Sequence, residues 1–321
     1  MSFDAKNVYL FAGTPQVRPR YAPGMPPERP MSETSYTFET DRRAAPHDPR
    51  LYRPLCEVPP LASCDAMKDA AMESYHEQGF LAVDAIFDSE DIAITLEAIG
   101  DLLDRKVPDH PNRNVYIEAD AREHFDSLSP QQRRDAVRKL FHFCRPEPRL
   151  NKLSRHPRVL GIVERIIGGP VVMIQDMALL KPPRIGREKP WHQDHAYFPY
   201  PLDAPIVGVW IALDAATVAN GCMHVLPGWH RHGPIVHFQR RDWQICDTDI
   251  LDRPDARSVA VPLAVGGALF FSSLLPHGTP VNRSPHPRRA LQFHYASAGA
   301  AQISGEAHRA IFGSEGKDVS C

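Results

Sequence analysis

His192-Gln193-Asp194 sets an imidazole and a carboxylate two residues apart. In an extended segment, side chains at i and i+2 share a face, so both can point at one metal ion. Two imidazoles and one carboxylate leave three coordination positions open, the arrangement used for Fe(II) with an oxidising co-substrate. The chain holds 16 histidines, so a single His-x-Asp says little until a third ligand is found. His224, His230, His232, His237, His277, His286 and His294 all compete for that place. His277 has the best context. It follows Gly266-Gly267-Ala268-Leu269-Phe270-Phe271, a glycine turn leading into a buried strand, and a barrel needs such a strand to bring a late residue beside an early one. The stretch from His224 to His237 reads as loop and surface. Further on, Arg288 opens Arg288-Arg289-Ala290-Leu291-Gln292-Phe293, whose alternate residues would line the two faces of a strand. A guanidinium deep in a barrel is costly unless it meets an anion, and a dicarboxylate supplies one through a bidentate pair. A surface arginine is the competing reading.

The elements that must position these residues fall into two halves. Residues 1–60 are rich in Pro and Arg, with Pro15, Pro19, Pro23, Pro26, Pro27 and Pro30 ruling out a regular helix or central strand. They read as an extended arm, followed by one domain over 61–321. Helical signals come first. Ser89 is the expected N-cap of a helix carrying Ile92, Leu96, Ile99 and Leu103 on one face. Ser129-Pro130-Gln131-Gln132 reads as a capping box. Pro157 opens a helix with an apolar stripe of Val159, Ile162, Val163, Ile166 and Ile167, stopped by Gly168-Gly169-Pro170. Beyond Pro170, short β-branched or aromatic runs such as Val171–Ile174, Ile206–Ile211 and Ala268–Phe271 read as strands of a sandwich or barrel.

Composition narrows the class. Over 321 residues, 43% are hydrophobic and 24% charged, and the formal net charge is -2. This suits a globular protein with a substantial core and gives no basic field for nucleic acid or anionic membrane. The six cysteines are scattered without a C-x-x-C pair, as expected of free thiols in a reducing compartment. Met1 to Gly13 lacks a signal-peptide pattern, and no apolar run is long enough to span a bilayer, so the expected location is the cytoplasm. Nothing in the sequence specifies an oligomer.

Several motifs in fixed order resemble the phytanoyl-CoA dioxygenase family. They are Trp191–Tyr200, Val209–Asp214, Asn220–Met223 with Val225–Gly228, His277-Gly278-Thr279 with Asn282-Arg283-Ser284, and Arg288-Arg289-Ala290. Tyr75–Val83 resembles the family's opening helix and strand, and the likeness runs from about Ala66 to about Ala296. The resemblance implies a mainly β double-stranded β-helix (a cupin-like jelly roll) with helices packed on one sheet. It implies that His192, Asp194 and His277 hold Fe(II), that Arg288 pairs with the distal carboxylate of 2-oxoglutarate, and that Thr279 sits beside that carboxylate. By the same resemblance Met177, Gln175, Lys139 and Trp210 lie near the co-substrate. The implied reaction uses O₂ and 2-oxoglutarate, releases succinate and CO₂, and hydroxylates an aliphatic C–H of a small molecule. Asp194 argues against halogenation, because related halogenases carry a small residue there.

The alternative is a jelly-roll metalloprotein that hydrolyses or isomerises its substrate with the same ligands. Arg288 and the Asn282 loop speak against it. The expected substrate lining is His195, Tyr197, Phe198 and Tyr200, with Val107 to Leu128 as a lid. Arg231, Arg240 and Arg241 are further candidates for an anionic substrate group. Substrate identity does not follow from the sequence.

Overall fold

The computed structural model describes residues 36–38, 47–66, 68–239 and 243–313. The expected arm therefore lies largely outside the described residues, as do Arg240 and Arg241.

The helices form where caps and apolar spacing place them. Helix α1 (Asp69–Gln78) stops at Gly79, whose φ of 84° is a left-handed conformation that costs glycine nothing. The chain reverses there into β2 (Phe80–Val83). Helix α2 (Ser89–Leu103) is capped by Asp88, one residue before the expected Ser89. The Asp88 carboxylate accepts from the backbone N–H of both Glu90 and Asp91, each at 2.9 Å, which a serine hydroxyl one position later could not do. The box at Ser129 and Gln132 opens α3 (Pro130–Asp135) as expected. After α4 (Pro148–Ser154), α5 (Pro157–Ile167) buries Val159, Ile162, Val163 and Ile166. At about 1.5–3 kcal/mol per buried aliphatic side chain, that stripe fixes α5 against the sheet below. Two short helices, α6 (Asp247–Leu251) and α7 (Gly305–Phe312), come late in the chain.

Two sheets form the jelly roll. The larger has the order β1 (Thr37–Phe38), β3 (Val115–Ile117), β4 (Val137–Phe141), β5 (Val171–Lys181), β14 (Arg288–Ser297), β7 (Ile206–Ala212), β12 (Ala268–Ser272), β2. The smaller runs β11 (Val259–Val261), β8 (Met223–Val225), β13 (His277–Thr279), β6 (Lys189–His192). A separate hairpin pairs β9 (His237–Gln239) with β10 (Trp243–Ile245). Helix α5 packs on β5, β7 and β14, and the core beneath it includes Met173, Leu291, Phe293 and Tyr295. A second core, with Trp210, Met223, Val225, Leu269 and Phe271, fills the space between the sheets. Period-two alternation explains the division: on β14, Leu291, Phe293 and Tyr295 face the helices, while Arg288, Ala290 and Gln292 face the smaller sheet.

Residues 47–60 run along the smaller sheet. Leu55 donates its N–H to Ser258 O at 2.8 Å and Val58 to Ala260 O at 2.9 Å. Leu51 is buried against Trp191, Leu226, Trp229 and Ile250. Among the described residues no cysteine is paired and no helix is long and apolar enough to cross a membrane.

Candidate metal centre and co-substrate pocket

Strands β6 and β13 are antiparallel neighbours with His192 directly opposite His277, so their imidazoles project together from one face. Asp194 follows at the start of a 3-10 turn, Asp194–Tyr197. Its Oδ1 lies 3.2 Å from Nε2 of His192 and 3.5 Å from Nε2 of His277. One ligand atom from each residue lies within 4.8 Å of the others. The Nδ1 of His192 is 2.7 Å from Pro190 O, and that of His277 is 2.9 Å from Leu275 O. A carbonyl only accepts, so each Nδ1 carries the proton and each Nε2 keeps its lone pair for a metal.

Electrostatics agrees with that donor set. Burial pushes the His277 imidazole down to about 4, and burial with the nearby Lys189 charge lowers His192. Burial alone would raise Asp194, but His277, His294 and His192 together hold its carboxyl well below the usual range. Two neutral imidazoles and one carboxylate are what a divalent cation requires. Phe271 packs its ring on His277, with centroids 4.8 Å apart. Gly208 makes the room, since a Cβ there would come within 2.4 Å of the Phe271 ring.

The triad opens into a cavity that is also lined by Lys139, Met177, Lys181, Thr279 and Arg288. Arg288 is 1% exposed. Its Nη1 makes one long hydrogen bond to Leu179 O, at 3.4 Å, and its Nε has no hydrogen-bond partner among the described residues. Thr279 Oγ1, also buried, likewise has none. Burial brings the guanidinium down to about 10. A buried, under-satisfied cation and a buried hydroxyl in one cavity match the carboxylate of a co-substrate.

Of the other expected residues, Lys139 and Met177 line the cavity. Trp210 does not: it lies under Arg288, whose guanidinium carbon is 5.2 Å from its ring centroid. Gln175 sits on β5 opposite His294, also outside the lining.

The expected substrate contacts need correction at three positions, His195, Phe198 and Tyr200, none of which lines the cavity. His195 is turned into the protein, with Nδ1 2.9 Å from Ser273 Oγ and Nε2 3.1 Å from Tyr200 O, and it stacks on Phe312. Phe198 packs on His294 and joins the cluster with Val172, Ile174 and Tyr200. Alternation continued from His192 and Asp194 would have aimed Phe198 and Tyr200 at the cavity, and the 3-10 turn Asp194–Tyr197 breaks it; His195 is of the opposite parity. Tyr197 stays nearby, its ring edge-on to His192 with centroids 5.9 Å apart and its hydroxyl donating to Trp243 O at 2.7 Å. The cavity walls instead carry Glu118, Arg138, Arg187 and Lys189. Glu118 belongs to the expected lid, and its carboxylate lies 4.0 Å from each of the two arginines.

The stretch from His224 to His237 is not all surface. His224 is 0% and His237 1% exposed, because β8 is an inner strand of the smaller sheet and β9 closes over the ligand loop. His237 accepts the backbone N–H of Gln193 at Nε2 (3.0 Å) and donates from Nδ1 to Ile235 O (2.8 Å). Gln193 in turn donates to Gly233 O and Leu274 O and accepts from Ile235 N–H. The residue between His192 and Asp194 thus anchors their loop, a role that its type alone does not announce.

A jelly roll with two histidines, a carboxylate and a buried arginine lining one cavity is the architecture of the iron- and 2-oxoglutarate-dependent oxygenases. Within that class the chain belongs to the phytanoyl-CoA dioxygenase family, whose profile matches residues 75–290. This family uses Fe(II), 2-oxoglutarate and O₂. The chain is 30% identical over 242 residues to the peroxisomal phytanoyl-CoA dioxygenase of Rattus norvegicus, covering 72% of this chain and 68% of the relative. It is 27% identical to a probable phytanoyl-CoA dioxygenase of Caenorhabditis elegans, covering 70% and 73%. Among solved structures, EvdO2 of Micromonospora carbonacea complexed with 2-oxoglutarate superposes with a TM-score of 0.55 at 24% identity, over 74% of this chain and 94% of that one. The carbocyclase SnoK from nogalamycin biosynthesis gives 0.58 at 23%, over 78% and 93%. These two likenesses bear on the fold.

Proposed function

We propose that this protein hydroxylates an aliphatic C–H of a small, acidic molecule, with His192, Asp194 and His277 holding iron and Arg288 and Thr279 receiving the distal carboxylate of 2-oxoglutarate. The observation that carries this reading is the buried, under-satisfied Arg288 guanidinium in the same cavity as the triad. A hydrolase or isomerase that does not use 2-oxoglutarate has no need of it. Iron with 2-oxoglutarate and O₂ supplies the oxidation that inserts one oxygen into the substrate and leaves succinate and CO₂. The chain's own part is positional. Arg288 and Thr279 orient the co-substrate, with Lys139 and Met177 beside it, and Leu179, Leu180 and Met223 keep that end of the cavity apolar. Arg138, Arg187 and Lys189 line the cavity together with the carboxylate of Glu118, and the excess of cations favours an anionic group there.

Anaerobic addition of Fe(II) and 2-oxoglutarate to the metal-free protein should produce a visible charge-transfer band. A panel of small carboxylic acids and phosphate esters, incubated with O₂, should contain a compound that gains one oxygen atom in step with succinate formation. Absence of the band would overturn the co-substrate reading. Succinate formed with substrate rearrangement, and no oxygen gained, would overturn the hydroxylase reading alone.

A further inference from the structure

The two oxygens of Asp194 keep different company. Oδ1 faces the Nε2 atoms of His192 and His277, which is the metal side. Oδ2 faces away and meets two side chains of β14: Nε2 of Gln292 at 3.0 Å and Nε2 of His294 at 2.7 Å. Both side chains are buried, at 3% and 0% exposed. They stand two residues apart on an inner strand bonded to β5 on one side and β7 on the other. Phe198 and Phe271 pack on the His294 ring, with centroids at 4.8 and 6.4 Å. The Gln292 amide nitrogen only donates, so Oδ2 is an acceptor held in place by groups that cannot readily move.

We propose that Gln292 and His294 are positioning residues that confine Asp194 to one-oxygen coordination and so keep a metal position open for co-substrate or O₂. The inference rests on the triad being the metal site. A carboxylate free to rotate can bind a cation through both oxygens. On a centre with three protein ligands, that second oxygen occupies one of the three positions the reaction needs. The clamp therefore governs how many positions stay open, and metal uptake itself does not depend on it. A residue that merely packs the core would show the opposite pattern, with fold and metal affinity falling together.

The test uses the full-length metal-free protein and Co(II), whose visible ligand-field bands report coordination geometry. Co(II) is titrated first and 2-oxoglutarate second, without O₂, on wild type, Gln292→Leu, His294→Leu and His294→Gln. For the two leucine variants the expected result is Co(II) affinity within about threefold of wild type, altered ligand-field bands, and 2-oxoglutarate bound at least tenfold more weakly. His294→Gln, which can place an amide N–H where Nε2 was, should recover much of the co-substrate affinity. Thermal unfolding of each metal-free variant separates folding from coordination. Wild-type bands and wild-type 2-oxoglutarate affinity in both leucine variants would overturn the proposal. So would loss of Co(II) binding in proportion to loss of thermal stability. If folded wild-type protein itself takes up no Co(II), the triad reading fails and the clamp with it, a result distinct from failure of the clamp alone.

Discussion

On β14 the Arg289 guanidinium makes two hydrogen bonds to Asp214, at 2.9 and 2.7 Å, in a half-exposed position. Its neighbour Arg288 points the other way into the cavity. Arg288→Ala should therefore leave Fe(II) uptake near normal while weakening 2-oxoglutarate by about 2–5 kcal/mol, on the order of thirtyfold or more. Arg288→Lys should recover only part of this, because an ammonium lacks the planar fork. Arg289→Ala should stay within about tenfold of wild type, since an exposed pair contributes about 1 kcal/mol or less. Equal effects at the two positions, measured as apparent KM for 2-oxoglutarate, would place the co-substrate elsewhere. At this scale the sequence is legible where chemistry is tied to strand period. Alternation gives the shared face of His192 and Asp194 and the opposite faces of Arg288 and Arg289, while their expected roles come only with the family resemblance. Gln292 and His294 lie on the same alternation and could have been reached by extending it from Arg288. His195 and Phe198 could not be placed, because a 3-10 turn carries no residue signature as strong as the strand before it.

Among the elements, α3 and α5 were legible from their caps and stripe, because both signals are local. The segment 47–60 was not, because its value comes from partners far along the chain. Trp191, next to His192 of the triad, donates its indole N–H to Leu51 O at 3.0 Å. Leu51 is 2% exposed, whereas Leu55, four residues on, is 61% exposed. Leu51→Ala should lower unfolding free energy by about 2–5 kcal/mol, read from denaturant melts. Leu55→Ala should change it by no more than about 0.5 kcal/mol. If the two substitutions prove equally mild, the segment is a passenger on the smaller sheet.

The molecule as a whole keeps several histidines neutral by burying them. His224 and His277 are pushed down to about 4 and His237 to about 3, against about 6.5 in an unfolded chain. Protonation thus favours the unfolded state. The stability held by these groups is fully present above about pH 6.5 and is lost as pH falls toward 4, at about 1.4 kcal/mol per pH unit for each group. Melting temperature of the metal-free protein should fall steadily from pH 7 to pH 5, and a flat profile would mean that these rings are hydrated. The sheets hold one more consequence. Because β14 pairs with β5 from Arg288 on and with β7 from Ala290 on, the four-residue interval from Arg288 to Gln292 is a fixed length of about 13 Å. The strand is a gauge built into the wall. Under the proposed function that span separates the guanidinium that would take one carboxylate from the side chain beside Asp194, so a keto-diacid one carbon shorter or longer should bind more weakly than 2-oxoglutarate.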